Sequence, residues 1–177
     1  SLRLDYMTGA QVDISRINTT LNDSYVIELW YEHYSLDNDT IWETDGMRLR
    51  YEGRRIVLEY GNKSHAVVSY DDFSDMTSGW HHFALNVVRG QAASFYFDGH
   101  RTAVMAEADM PVLKGATLKL AKGGQLSYVD ELRIWKATLS EERLLANRYH
   151  TMDTSEVYSH GLIAYYPFEK DSVINGV

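Results

Sequence analysis

Cysteine is absent from the 177 residues, which excludes disulfides, thiolate metal sites and cysteine nucleophiles. The absence leaves the compartment open, because a chain able to bury a large core needs no covalent staple. Proline occurs only twice and glycine twelve times, too few for a disordered or low-complexity linker. Positive charge is scarce: 17 lysines and arginines face 25 aspartates and glutamates, for a net charge of −8. They form no basic stripe, so nucleic acid and anionic membrane are poor partners. No apolar run approaches the roughly 20 residues of a membrane-spanning helix, and no membrane insertion is expected. The seven histidines show no H-x-H or HExxH spacing. Glycine-rich phosphate loops, nucleophile elbows and kinase motifs are also missing.

What is present is a chain long enough for one domain and 45% hydrophobic, enough to bury a real core. Most of it alternates with a period of two. "YVIELWYEH" sets Val26, Glu28, Trp30 and Glu32 against Tyr25, Ile27, Leu29, Tyr31 and His33. "GMRLRYEG" sets Met47, Leu49 and Tyr51 against Arg48 and Arg50. Similar runs follow at intervals of about ten residues, separated by Gly, Asn or Asp, and this pattern predicts an antiparallel sandwich. One segment, "TLSEERLLANRYH", reads as a helix over about 140–149. Thr138 or Ser140 can cap it, Glu141 and Glu142 suit its positive end, and Leu144, Leu145 and Tyr149 form an apolar face.

The stretch "GWHHFALNVVRGQAASFYFDG" holds two adjacent histidines, a tryptophan and an aspartate before glycine. In a strand His81 shares a face with Phe83, Leu85 and Val87, whereas His82 shares the other with Trp80, Ala84 and Asn86. Adjacent histidines so placed cannot hold one metal ion. Asp98-Gly99 suits a type I′ turn, since both positions accept positive φ. The stretch is two strands of a sheet.

Four segments now resemble one family, the laminin G-like, concanavalin A-like jelly-roll modules found in bacteria. They are "GWHHFALNVVRGQAASFYFDGHRTAV", "LSYVDELRIWKATLSEERL", "SLRLDYMTGAQVDI" and "YVIELWYEH", in the family's order and within residues 1–150. The resemblance implies an all-β, two-sheet antiparallel jelly-roll sandwich with one short helix near 140–149. It makes Trp30, Trp80 and Trp135 core or sheet-packing residues, and gives Asp130 and Glu131 a structural role in bonding a neighbouring loop or backbone. Leu4-Asp5-Tyr6-Met7 departs from the family's "F-D-G" strand. The family's usual opening string stands at the back instead, as "GLIAYYPF" from Gly161 to Phe168.

The tail is expected to form a strand over 161–168 that fills an open edge beside Leu132 and Ile134, within this chain or from a neighbour. It otherwise begins a following module. Residues 1–150 are thus the jelly-roll domain, and 151–177 a linker with that C-terminal strand. A start at Ser1 and an ending in "DSVINGV" suit a piece of a larger protein with neighbouring domains.

The functional expectation is a non-catalytic binding module of a secreted or cell-surface protein, with a glycan or a cell-surface or matrix ligand. The alternatives are a structural or adhesion spacer and a laminarinase-like hydrolase. The hydrolase needs alternate acids on one strand face so that two carboxyls flank a glycosidic bond. In "YVDELRIW" the acids Asp130 and Glu131 are adjacent and, in a regular strand, point apart. Trp42 is the candidate for stacking on a sugar, beside Tyr34, Asn38 and Asp45, since a ring face flanked by carboxylates and amides suits a pyranose. It otherwise packs into the sandwich beside Ile56 or Leu58. Calcium is the candidate cofactor, in the oxygen-rich loops bearing Asp37 and Asp39, and Asp71 and Asp72; ordinary solvated loops fit the same residues.

Overall fold

The computed structural model describes residues 1–4, 10–33, 39–69, 79–115, 117–120, 127–152 and 160–168. In these segments the strands are β1 (Leu2–Leu4), β2 (Ala10–Asp13), β3 (Tyr25–His33), β4 (Thr40–Thr44), β5 (Met47–Glu52), β6 (Arg55–Tyr60) and β7 (Lys63–Ser69). They continue as β8 (Trp80–Val88), β9 (Ala92–Phe97), β10 (His100–Met105), β11 (Thr117–Leu120), β12 (Ser127–Trp135) and β13 (Leu162–Tyr166). The α-helix α1 is Glu141–Asn147. A seven-stranded sheet runs β1-β12-β3-β8-β9-β10, with β13 also on β12. A six-stranded sheet runs β2-β11-β4-β5-β6-β7. The pairings are antiparallel, and the two sheets form a jelly-roll sandwich of the concanavalin A-like kind.

The alternation explains the core. In β5, Met47, Leu49 and Tyr51 are buried while Arg48, Arg50 and Glu52 lie between them at half-buried positions. Ile27, Leu29 and Tyr31 of β3 meet Phe83 and Leu85 of β8 along the same inner face, in register at Leu29 opposite Phe83. The facing sheet supplies Leu49, Ile56, Leu58, Leu118 and Leu120. Each fully buried side chain of this size stabilises by about 1.5–3 kcal/mol relative to exposure.

Trp42 belongs to this core. It is 1% exposed and sits opposite Leu49 and Leu120. The β4–β5 register slips between Thr40 and Trp42, so Ile41 and Trp42 are both buried although they are neighbours. No sugar ring reaches a tryptophan so placed, and the expectation of a ligand platform at Trp42 is corrected.

A second apolar cluster lies on the outer face of the seven-stranded sheet. It joins Val26, Ala84, Tyr96 and Trp135 to Leu139, Leu144, Met152 and Leu162. The helix docks here. Ser140 Oγ accepts from Arg143 N at 3.2 Å, and Glu141 and Glu142 occupy the first turn. The helix stops at Asn147, shorter than the expected span, and Leu144 alone of its residues is buried. Leu145 is exposed and Tyr149 lies beyond the helix end, so neither continues its apolar face.

The strand β13 pairs with β12 in the same chain, with Tyr166 opposite Leu132 and Ala164 opposite Ile134. Beyond it β1 pairs with the other half of β12, with Leu2 opposite Val129. The two strands therefore lie end to end, and Ser1 N donates to Phe168 O at 2.9 Å. At the start of β13, Gly161 has φ +84, and its carbonyl accepts from Lys136 N at 2.7 Å. A Cβ there would come within 2.7 Å of the Ala137 Cβ, so the close approach requires glycine.

Candidate functional site

A buried polar cluster lies on the outer side of β3. Glu28 is 0% exposed, and it accepts from Trp135 Nε1 at 2.8 Å and pairs with His82 Nε2 at 3.2 Å. The Arg133 guanidinium stands 3.7 Å away. Burial alone would raise the Glu28 pKa, but the His82 and Trp135 hydrogen bonds and the His82 and Arg133 charges outweigh it and hold the carboxyl below its ordinary range. Arg133 is itself buried and links the sheet to the segment after α1. Its Nη1 donates to Asn147 O at 2.8 Å, and its Nη2 donates to Glu131 at 2.5 Å and to His150 O.

The β9–β10 turn braces the same segment. Asp98 and Gly99 both have positive φ, in keeping with their turn chemistry. The Asp98 carboxylate accepts from His82 N at 2.8 Å and meets His81 Nδ1 at 2.7 Å. Burial opposes ionisation of this carboxyl, but the bonds to His81 and His82 prevail and lower its pKa. Arg148 Nη1 donates to Asp98 O, and Trp30 Nε1 donates to Arg148 O at 3.0 Å.

Over this frame lies an open groove of about 360 Å³, within the size range of small-molecule sites. Its aromatic walls are Trp30 from β3, Trp80 from the start of β8, and Tyr149 after the helix. Tyr149 is 74% exposed, 5.5 Å from the Trp30 ring, with the Arg148 guanidinium 4.4 Å over its own ring. Trp30 and Trp80 are half-buried and pack on the sheet rather than in the core, Trp30 with its ring 5.3 Å from His82 and Trp80 6.4 Å from Tyr128, in keeping with the sheet-packing alternative. Trp135 does pack in the second cluster. The outward parity of Trp30 and Trp80, shared with Glu28 and His82, was the available sequence signal.

Asp130 and Glu131 also line the groove, together with Arg133. This corrects the expectation that adjacent acids point apart. The β12–β3 register shifts between Asp130 and Arg133, and Glu131 has φ +50, a left-handed conformation uncommon outside glycine. The extra residue turns both carboxylates outward. Each is held. Asp130 Oδ1 accepts from Glu131 N at 3.0 Å, and Oδ2 lies 3.5 Å from the Ser1 nitrogen. The Tyr165 hydroxyl sits 2.9 and 3.0 Å from the two Glu131 oxygens, donating to that carboxylate and tying β13 to the bulge. Burial and the Glu131 carboxylate push the Tyr165 pKa up to about 12. Burial likewise raises the Asp130 pKa.

The other expected site residues lie elsewhere. Asp45 is exposed in the β4–β5 turn, lining a polar groove of about 390 Å³ with Glu43, Thr117 and Lys119. Asp39 is buried, and its carbonyl accepts from Tyr51 N at 2.8 Å. Tyr34, Asp37, Asn38, Asp71 and Asp72 fall outside the described residues. Among the described residues no group of three or more His, Asp or Glu side chains is placed to hold a metal ion.

No family model matches the chain, and no curated protein matches it. Solved structures do. The binding domain of botulinum neurotoxin serotype G matches with a TM-score of 0.65 at 15% identity, covering 81% of this chain and 41% of that one. The serotype D binding domain gives 0.66 at 14% identity, covering 81% and 40%. The binding domain of Paraclostridial Mosquitocidal Protein 1 gives 0.68 at 13% identity, covering 83% and 43%. The chain spans about two fifths of these structures. At such identity the likeness establishes the fold: a concanavalin A-like jelly roll shared with binding domains of bacterial toxins. It does not establish membership of the laminin G-like family.

Proposed function

We propose that this chain is a non-catalytic binding module of a larger secreted or cell-surface protein, and that its groove holds a glycan of a cell-surface or matrix partner. The observation that carries this reading is the convergence of Trp30, Trp80 and Tyr149 on one groove with polar groups between them. Ring faces supply apolar contact for sugar C–H groups, and neighbouring carboxylates and carbonyls accept from hydroxyls. The shared fold with toxin binding domains supports a binding role. A non-catalytic role is supported by the carboxylates themselves, since Glu131 is bonded by Tyr165 and Arg133 and Asp130 accepts from the bulge backbone.

A glycan array probed with the chain, with calcium and without it, tests the reading. Binding that Tyr149→Ala weakens, with the melting temperature unchanged, is the expected result. A blank array under both conditions favours the structural or adhesion spacer, and reducing-sugar release from β-glucans would revive the hydrolase.

A further inference from the structure

We infer that the groove selects an uncharged, hydroxyl-rich sugar ring and disfavours glycans that end in a carboxylate or sulfate, an inference that rests on the groove being the ligand site. The groove's two guanidiniums direct their hydrogen bonds to the protein itself, although the Nε of each has no partner among the described residues. Arg133 is buried, its Nη1 and Nη2 donate to Asn147 O, His150 O and Glu131, and two carboxylates, Glu131 and Glu28, stand around this one guanidinium. Arg148 donates to Asp98 O and lies over the Tyr149 ring. Both guanidiniums thus hold the walls in place. A recognition arginine for an acidic sugar needs its planar fork turned to the ligand instead.

Asp130 places a further carboxylate at the groove. Its side chain is 30% exposed, its Oδ1 accepts from the Glu131 amide, and its Oδ2 lies 3.5 Å from the Ser1 nitrogen. A ligand carboxylate brought near it meets like charge, whereas a hydroxyl finds an acceptor. The aromatic walls are indifferent to ligand charge of this kind, because they offer a face to the C–H surface of any pyranose. The chain's net charge of −8 works in the same direction at longer range.

The test is ligand-observed NMR titration of the intact chain at neutral pH against matched pairs: lactose and sialyllactose, methyl glucoside and methyl glucuronide. The neutral member of a pair is expected to bind at least about fivefold more tightly. Tyr149→Ala should weaken it about tenfold, and that side chain's exposure keeps folding out of the comparison. Asp130→Asn should narrow the gap within each pair, with circular dichroism and melting confirming the fold. Equal or tighter binding of the acidic members overturns the selectivity while leaving the sugar site standing. An unchanged gap in Asp130→Asn overturns the role given to that carboxylate. Silence from every sugar overturns both this inference and the reading beneath it.

Discussion

The two sheets share one alternating pattern, yet their outer faces have opposite fates. On the six-stranded sheet the outward residues form an ion-pair ladder at the surface. Arg48 and Arg50 both meet Glu59, at 2.6 and 2.8 Å, and Arg50 and Arg55 meet Glu52. On the seven-stranded sheet the equivalent outward glutamate, Glu28, is fully enclosed, covered by α1 and the segments flanking it. The same residue type on the same strand parity is therefore solvated in one place and part of a buried network in the other. Covering that face created the groove. The segment that covers the sheet also delivers Tyr149 to Trp30, 119 positions apart in sequence from one another.

The comparison breaks most visibly at Glu28. Glu28→Ala leaves Arg133 and His82 buried without their carboxylate and should cost about 3–5 kcal/mol in denaturant unfolding. A loss below about 1 kcal/mol would mean that the face is solvated like its counterpart. The pH dependence has a definite sign. The folded-state pKa of Glu28 lies below its ordinary value of 4.5, so its contribution is complete above that value. It is lost as the pH falls through the lower folded-state value, where the native carboxylate must take up a proton. Thermal melts from pH 7 down to pH 3 should show an acid decline that is shallower in Glu28→Gln.

Next comes the cover itself. Leu144→Ala removes the buried anchor of α1 and should cost about 2–5 kcal/mol, with sugar binding weakened as Tyr149 loses its support. Ser140→Ala removes the helix cap and should cost about 0.5–2 kcal/mol, read as a lowered melting temperature. The smallest effect belongs to the open sheet. Glu59→Ala breaks two surface pairs and should change stability by only about 0–1 kcal/mol, diminishing further in high salt. A Glu59 effect as large as that of Glu28 would erase the distinction between the two faces.

The sequence by itself determined the local rules. Alternation marked Met47, Leu49 and Tyr51 as inward, Ser140 with two following glutamates marked the helix start, and Asp98-Gly99 marked a tight turn. Each rule depends only on neighbours in the chain, so it can be read there. Tertiary structure decided the rest. One extra residue near Thr40 turned Trp42 into the core, and one near Glu131 brought two adjacent acids to the same groove. A bulge inverts strand parity at a single step, and its place is set by pairing with another strand, which a periodic pattern does not contain. The groove was hidden for the same reason. Trp30, Trp80 and Tyr149 come from separate segments, and only the docking of the chain after Asn147 through Arg133 and Arg148 makes them one surface.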